Sequence, residues 1–211
     1  PCAAFPCEGA SFFQRVPMVT TRTAAGTTLS LAVGGQQQVL TLGKEMVVGS
    51  RVEKPRIELK DSDVVFVGYG VNAPEQNWND YAGLDVKGKT VVMLINDPGF
   101  LRGDETLFKG AAMTYYGRWT YKFEEAARRG AAGALIIHET GPAGYPFAVV
   151  QGNLGEKFDL VTPDKNMGRA NIEGWLSLDA AKRLLKMGGH DFDALKKQAT
   201  TRDFKPVPLG L

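Results

Sequence analysis

The strongest structural signal lies in residues 90–137, which read Thr90-Val91-Val92-Met93-Leu94-Ile95, then Trp119-Thr120-Tyr121-Lys122-Phe123-Glu124-Glu125-Ala126-Ala127-Arg128-Arg129, then Ala134-Leu135-Ile136-Ile137. The two outer runs are apolar and short, as buried strands are. In the middle run, apolar residues recur with helical spacing and form one stripe that includes Trp119 and Phe123, which we predict to be core residues. Gly130 follows as a typical helix-ending residue. The stretch predicts a β-α-β unit with a long loop before its helix.

The remaining patterns add strands and two further helices. Apolar or alternating runs predict strands at residues 27–33, 38–42, 45–48 and 64–71. A second helix is expected to begin after the N-cap residue Ser177, and a third to follow Asp191. These elements predict a mixed α+β fold that is rich in strands and has two to three peripheral helices.

The composition bounds the class of protein. Of the 211 residues, 44% are hydrophobic and 23% are charged, so the chain has enough apolar residues for a core and is not disordered. The net charge of +2 provides neither a nucleic-acid footprint nor a polybasic membrane patch. No run approaches the roughly 18 apolar residues of a membrane span. We therefore expect no nucleic-acid partner and no membrane partner.

Cysteine and histidine are scarce, which limits the available chemistry. Two Cys exclude a disulfide-rich scaffold and a multi-thiolate zinc site, and two His leave no plausible Ser-His-Asp or Cys-His set. Cys2 and Cys7 are close enough in sequence to bridge in an oxidising compartment, but neither has a basic neighbour to activate it. His138 follows a strand and His190 precedes a helix, and we expect structural roles for both. We predict no catalytic residue and no metal site within this chain.

The hexapeptide Gly68-Tyr69-Gly70-Val71-Asn72-Ala73 matches the dinucleotide fingerprint G-x-G-x-x-A. That site requires a helix to begin at once, so that its first backbone amides point at a pyrophosphate. Pro74 and three Asn residues occur in or just after the hexapeptide and oppose such a helix. We therefore predict that the glycines mark a bend or bulge in a sheet.

The densest cluster of aromatic and cationic residues spans 108–122. It combines tyrosine rings with Lys109 and Arg118, and aromatic faces beside an always-charged guanidinium suit a surface that grips a peptide or a carboxylate. Because Lys109, Tyr116 and Arg118 are hard to bury, they are the candidate binding residues.

Several phrases of the chain resemble a known family. Lys87-Gly88-Lys89-Thr90-Val91-Val92, followed by Lys122-Phe123-Glu124-Glu125-Ala126 and Gly130-Ala131-Ala132-Gly133-Ala134-Leu135, resembles a protease-associated domain. Val67-Gly68-Tyr69-Gly70, Asn79-Asp80-Tyr81, Thr114-Tyr115-Tyr116-Gly117-Arg118-Trp119 and Ala143-Gly144-Tyr145-Pro146 resemble the version inserted in bacterial two-zinc aminopeptidases, relatives of glutamate carboxypeptidase and the transferrin receptor.

This resemblance implies an accessory role. It implies a β-rich open barrel or sandwich that covers the mouth of a peptidase active site and helps restrict and bind peptide substrates. Arg118 and Tyr116, together with Tyr115 and Lys109, match the substrate-facing positions. The family's two zinc ions bind to an H-x-D motif and other ligands downstream of the insertion, and these 211 residues contain no such motif. We thus expect an inactive part of a secreted or periplasmic hydrolase, whose partners are its own peptidase domain and a peptide.

The resemblance also implies a division of the chain. Residues 1–11 match nothing in the family and form a leader, residues 12–25 and 201–211 resemble flanking segments of the peptidase domain, and residues 26–200 form the protease-associated domain. The repeated Val-Pro phrases near both ends are equally compatible with two unrelated edge segments.

Two other functions stay open at this point. The chain could be a free-standing peptide- or protein-binding module with no attached peptidase, or an enzyme that uses Asp97, Asp104 and Glu105. The three carboxylates lie close together in sequence, whereas paired-carboxylate sites usually draw on separate strands. Substrate specificity and oligomeric state are not predicted.

Overall fold

The structure is a computed structural model that describes residues 13–211. The predicted leader, residues 1–11, and the Cys2–Cys7 pair lie outside the described residues.

Twelve strands and six helices are formed by the described residues. The strands are β1 (Met18–Arg22), β2 (Leu29–Val33), β3 (Gln36–Leu40), β4 (Met46–Gly49), β5 (Val64–Phe66), β6 (Asn72–Ala73), β7 (Trp78–Asn79), β8 (Thr90–Leu94), β9 (Gly133–Ile137), β10 (Glu156–Leu160), β11 (Ile172–Leu176) and β12 (Val207–Pro208). The helices are α1 (Gly99–Arg102), α2 (Trp119–Arg128), α3 (Thr140–Ala143), α4 (Phe147–Gln151), α5 (Leu178–Met187) and α6 (Phe192–Gln198).

Six strands form the central sheet in the order β12-β5-β8-β9-β11-β4. The four inner strands are parallel, and the two edge strands β12 and β4 are antiparallel to their neighbours. Strands β8 and β9 are buried along their whole length, as their unbroken apolar sequences require. The predicted β-α-β unit is present as β8, α2 and β9.

The sheet is covered on both faces. On one face, the β2–β3 hairpin and helices α5 and α6 pack through residues that include Leu31, Leu184 and Leu195. On the other face, α2, α3 and α4 pack through residues that include Phe123, Ala143 and Val150. The ribbons β1–β10 and β6–β7 lie outside the central sheet.

The α+β prediction is confirmed. Helices α2, α5 and α6 correspond to the three predicted helices, and three helices of about one turn add to them. Within residues 13–211 the strands form open sheets and no closed barrel. In the same range, no helix is both long and apolar enough to cross a bilayer.

Both predicted flanking segments are paired with this domain. Strand β1 pairs with β10, and β12 pairs with β5 at the edge of the central sheet. The division at residues 25 and 200 stays a prediction.

Candidate functional site at the carboxyl edge of the central sheet

Three parallel strands of the central sheet end at the same edge, and a few polar residues follow them there. Gly68 to Gly70 follow β5, Asn96 and Asp97 follow β8, and His138 and Glu139 follow β9. Carboxyl ends of parallel strands meet at one edge of a sheet, which is where such sheets place ligand-binding residues. This edge is therefore the candidate site.

The turn after β5 is the predicted bend. Gly68 and Gly70 have φ values of 54° and 64°, in the region that favours glycine, and the Gly70 amide donates to the Val67 carbonyl at 2.7 Å. A Cβ atom at Gly68 would lie 2.9 Å from the ring of Phe204. The next helical residues, 74–76, form a single 3₁₀ turn, so the glycine turn is not followed by the helix N-terminus that a dinucleotide requires.

The long loop between β8 and α2 is fastened at its base. The Asp97 carboxylate accepts hydrogen bonds from the Thr114 amide (3.1 Å) and hydroxyl (2.7 Å). The Asn96 side chain donates to the Pro142 carbonyl at 2.8 Å, and the Asn96 amide donates to the Gly117 carbonyl at 3.2 Å. These contacts fix the position of residues 115–118 relative to the sheet.

A buried charge cluster lies beneath this loop. Lys122 of α2 is fully buried, and its ammonium donates to the Tyr69 carbonyl. Asp80 is also buried and accepts hydrogen bonds from the Val71 amide (2.9 Å) and the Trp78 indole (2.7 Å). Lys122 thereby joins helix α2 to the turn after β5.

Burial perturbs both charges of this cluster. It lowers the pKa of Lys122 to about 7, against the attraction of Asp80 and Asp97. It raises the pKa of Asp80 to about 7, against its two hydrogen bonds and the attraction of Lys122. The buried ammonium offsets part of the charge of the two carboxylates, which is how a core tolerates such groups.

The two predicted tyrosines lie at the rim of the edge. The Tyr115 hydroxyl donates to Glu124 at 2.8 Å, and the Tyr116 hydroxyl donates to Glu75 at 2.7 Å. Tyr116 also packs edge-to-face on Phe108 and Tyr121. The Glu75 hydrogen bond, followed by burial, raises the pKa of Tyr116 to about 12. Both rings are held in place, and Tyr115 remains 55% exposed.

The two predicted cations are exposed beside the tyrosines. Arg118 immediately precedes α2, and neither it nor Lys109 forms an ion pair within residues 13–211. Phe108 and Lys109 have φ values of 48° and 60°, a conformation uncommon for residues with side chains. The Phe108 ring packs on Trp78 and Tyr116, which holds this strained turn.

His138 has a buried, structural environment. Only 3% of the residue is exposed, and its ring packs against Tyr145, Phe147 and Trp175. Its Nε2 atom has no hydrogen-bond partner. Burial lowers the pKa of His138, opposed by a hydrogen bond with the Tyr145 backbone. The aromatic surroundings therefore disfavour the charged form of the imidazole.

Two of the three carboxylates of the rival enzyme hypothesis, Asp97 and Asp104, accept hydrogen bonds that hold the loop. Asp97 is buried and uses both oxygens at the loop base, where Gly99 donates to the second oxygen at 3.2 Å. Asp104 accepts from the amide and hydroxyl of Thr106. Within the described part of the chain, no group of three or more His, Cys, Asp or Glu side chains could hold a metal ion. The side chains of residues 13–211 therefore do not fit a zinc centre.

Sequence reasoning missed Lys122, Asp80 and Glu75 as contributors to this edge. Lys122 occupies a position on the same helical face as Trp119 and Phe123, and a lysine within an apolar stripe is a signal that could have identified it. Asp80 and Glu75 show no comparable pattern. The prediction that Phe123 is a core residue is confirmed. The same prediction for Trp119 is wrong, since Trp119 is 40% exposed.

The chain has weak similarity to known proteins. No protein-family model and no curated protein matches the chain. A solved aminopeptidase from Aneurinibacillus sp. strain AM-1 is similar at 14% sequence identity and a TM-score of 0.30. The match covers 76% of this chain and 35% of that one. A TM-score of 0.30 is too low for this likeness to support an argument about fold or function.

Proposed function

We propose that this chain is the accessory protease-associated domain of a zinc-dependent aminopeptidase and contributes to substrate binding. In this proposal, the two zinc ions and the catalytic groups belong to a separate peptidase domain, and the enzyme is secreted or periplasmic. The support comes from the sequence motifs that resemble the family and from the arrangement of residues at the carboxyl edge of the central sheet. The chain by itself is expected to be inactive.

The observation that supports the proposal most directly is the free Arg118 guanidinium beside a fixed aromatic rim. Tyr115 and Tyr116 are held by Glu124 and Glu75, so the rim pays little conformational entropy when a ligand binds. An unpaired guanidinium can bind a peptide carboxylate or carbonyl through two parallel hydrogen bonds. Lys109 adds a second exposed positive charge.

The proposal predicts a defect when Arg118 is truncated in the full-length enzyme. A charge-assisted hydrogen bond contributes about 1.5–3 kcal/mol, so Arg118→Ala should lower kcat/KM by roughly 10- to 100-fold. The measurement is hydrolysis of aminoacyl-nitroanilides and of short peptides. Arg56→Ala is the matched control, because Arg56 is exposed and forms only a weak ion pair with Glu58 at 3.9 Å. An unchanged kcat/KM in Arg118→Ala would contradict the proposal.

A second measurement tests where the activity resides. With added zinc, the 211-residue chain should show no turnover, whereas the full-length parent should show turnover that a chelator abolishes. Zinc-dependent turnover by the isolated chain would overturn the accessory role.

A free-standing peptide- or protein-binding module is the alternative. It is favoured by the observation that Tyr115 and Tyr116 are held by groups of this same chain, so the rim is complete without another domain. Determination of the gene sequence beyond Leu211 separates the two proposals, since only the accessory role requires a peptidase domain there.

A further inference from the structure

A groove lies on the other side of helix α2 from the tyrosine rim. It has a volume of about 380 Å³ and runs between α2, the segment that follows α4, and strand β11. Lys109, Tyr115, Tyr116 and Arg118 do not line it. The groove is thus a separate feature from the candidate site described above.

One wall of the groove is apolar and partly open to solvent. Trp119 and Val149 are 40% and 53% exposed, and Tyr145 and Trp175 also contribute to the lining. An exposed tryptophan beside an exposed valine is a surface on which an apolar side chain can be buried. Trp119, which the sequence predicts to be a core residue, is thus part of the groove surface.

The part of the groove lined by Arg51, Lys157 and Glu173 forms its charged end, where the carboxylates are already paired. Arg51 forms ion pairs with Asp159 (2.7 Å) and Glu173 (3.9 Å). Arg169 pairs with Glu173 at 3.2 Å and with Asp159 at 4.0 Å. Two guanidinium groups therefore neutralise two carboxylates.

Lys157 is the unpaired charge at this end. It lines the groove, is half-buried, and has no carboxylate oxygen within 4.0 Å among the described residues. Its ammonium lies over Gly49, where a Cβ atom would come within 2.6 Å of Nζ. Burial, followed by repulsion from Arg51, lowers the pKa of Lys157 against the attraction of Glu173 and Asp159, which form no ion pair with it.

We propose that this groove binds a carboxylate attached to an apolar side chain, with the carboxylate on the Lys157 ammonium and the side chain against Trp119 and Val149. A cationic ligand fits less well, because Asp159 and Glu173 are neutralised and Glu156 pairs with Arg22. The carboxylate can come from a free N-acylated amino acid or from the last residue of a peptide. This inference goes beyond the proposed function, and its test does not read peptidase activity.

The first experiment uses the indole N–H signals of the three tryptophans in a ¹⁵N-labelled chain. N-acetyl-L-phenylalanine should shift the signals of Trp119 and Trp175 saturably. Trp78 serves as an internal control, since its indole is buried and bonded to Asp80. N-acetyl-L-phenylalaninamide, which lacks the charge, should bind about tenfold more weakly. Equal binding of the acid and the amide, or no shift up to the solubility limit, would overturn the proposal.

The second experiment removes the proposed partner. Lys157→Met keeps the length of the side chain and should weaken binding of the acid about tenfold, to the level of the amide. Lys186→Met is the matched control, because Lys186 is an exposed lysine of α5 with no ion pair in residues 13–211. If Lys157→Met does not fold, the comparison of acid and amide on the unmodified chain still tests whether the groove binds a carboxylate.

A third experiment distinguishes the two sources of the carboxylate. N-acetyl-Gly-Gly-Phe is titrated as the free acid and as its amide. Binding of the peptide acid at least as tight as that of N-acetyl-L-phenylalanine identifies a peptide C-terminus, and binding of the amino acid alone identifies a small acid. Either result supports the site, whereas binding of neither overturns it.

Discussion

At the scale of single residues, the buried cluster of Lys122, Asp80 and Asp97 contains three groups whose pKa values are shifted by burial. Lys122 and Asp80 compensate each other in an environment that penalises either charge alone. Because Asp97 also fastens the loop that presents Tyr115 and Tyr116, the cluster connects core stability to the candidate site.

The raised pKa of Asp80 predicts how stability depends on pH. Its ordinary value is 3.8 and the folded value is about 7, so between these values the folded chain binds a proton that the unfolded chain does not. Stability therefore falls as the pH rises through this window, by an amount on the order of a few kcal/mol. In the Asp80→Asn variant, the free energy of unfolding should decrease less over this pH range. Urea unfolding at several pH values between about 4.5 and 7.5 measures it.

In Asp80→Asn, stability should still fall somewhat as the pH rises, because other buried carboxyl groups also titrate. Burial also raises the pKa values of Asp97 and Glu173, so Asp80→Asn should reduce the slope without abolishing it. Asp203→Asn, which changes an exposed carboxylate, should retain the slope of the unmodified chain. An equal slope in both variants would show that Asp80 is not the group that titrates.

At the scale of elements, the contact between β11 and the edge strand β4 depends on Gly174. A Cβ atom at this position would lie 2.5 Å from the Val47 carbonyl oxygen and 2.9 Å from the Val48 Cα atom. Both are backbone atoms of the partner strand and have little freedom to move. Gly174→Ala should therefore destabilise the chain by about 2–3 kcal/mol, through distortion of the sheet edge.

Gly26 provides the matched control for this substitution. A Cβ atom at Gly26 would have no neighbour within 4 Å, so Gly26→Ala should change the free energy of unfolding by less than about 0.5 kcal/mol. Thermal and urea unfolding of both variants compare the two costs. Equal changes in the free energy of unfolding for Gly174→Ala and Gly26→Ala would mean that β4 can move away from β11 without loss of stability.

At the scale of the whole molecule, the last eleven residues help complete the core. Phe204 packs edge-to-face on Phe66, and the Leu209 amide donates to the Val64 carbonyl at 2.9 Å. Leu209 is 3% exposed. These contacts attach the segment 201–211, which the family resemblance predicts to be a flanking segment, to the edge of the central sheet.

Truncation of Leu209 tests this attachment. Leu209→Ala should cost about 3 kcal/mol, as the loss of a buried leucine does, while Leu101→Ala, at a leucine that is 44% exposed, should cost far less. Urea unfolding of the 211-residue chain is the measurement. If Leu209→Ala has no effect, the segment does not contribute to the stability of this domain.

Much of the secondary structure was predictable because its signals are local. The β8-α2-β9 unit followed from apolar periodicity, and helix α5 from its cap, where the Ser177 hydroxyl accepts from the Ala180 amide. The strand predicted over residues 64–71 was too long: it ends at Phe66, because the turn at Gly68 and Gly70 interrupts it. The apolar residues of this run predict one strand, whereas its two glycines predict the bend that ends it.

The site was predicted less completely than the fold. Tyr115, Tyr116, Arg118 and Lys109 were chosen for residue type, and the structure places them beside one edge of the sheet. Their hydrogen-bond partners were not foreseen, because Tyr116 meets Glu75 across 41 residues of sequence. Their role with a substrate stays a prediction.

Local chemistry in the chain is sufficient to specify helices α2, α5 and α6 and the bend after β5, where no helix begins that could bind a phosphate, because each depends on neighbouring residues. The order of the strands, the burial of Lys122 against the Tyr69 carbonyl 53 residues away, and the groove beside Trp119 depend on the assembled tertiary structure. These features arise from contacts between distant segments, whose free energies compete only once the chain has folded.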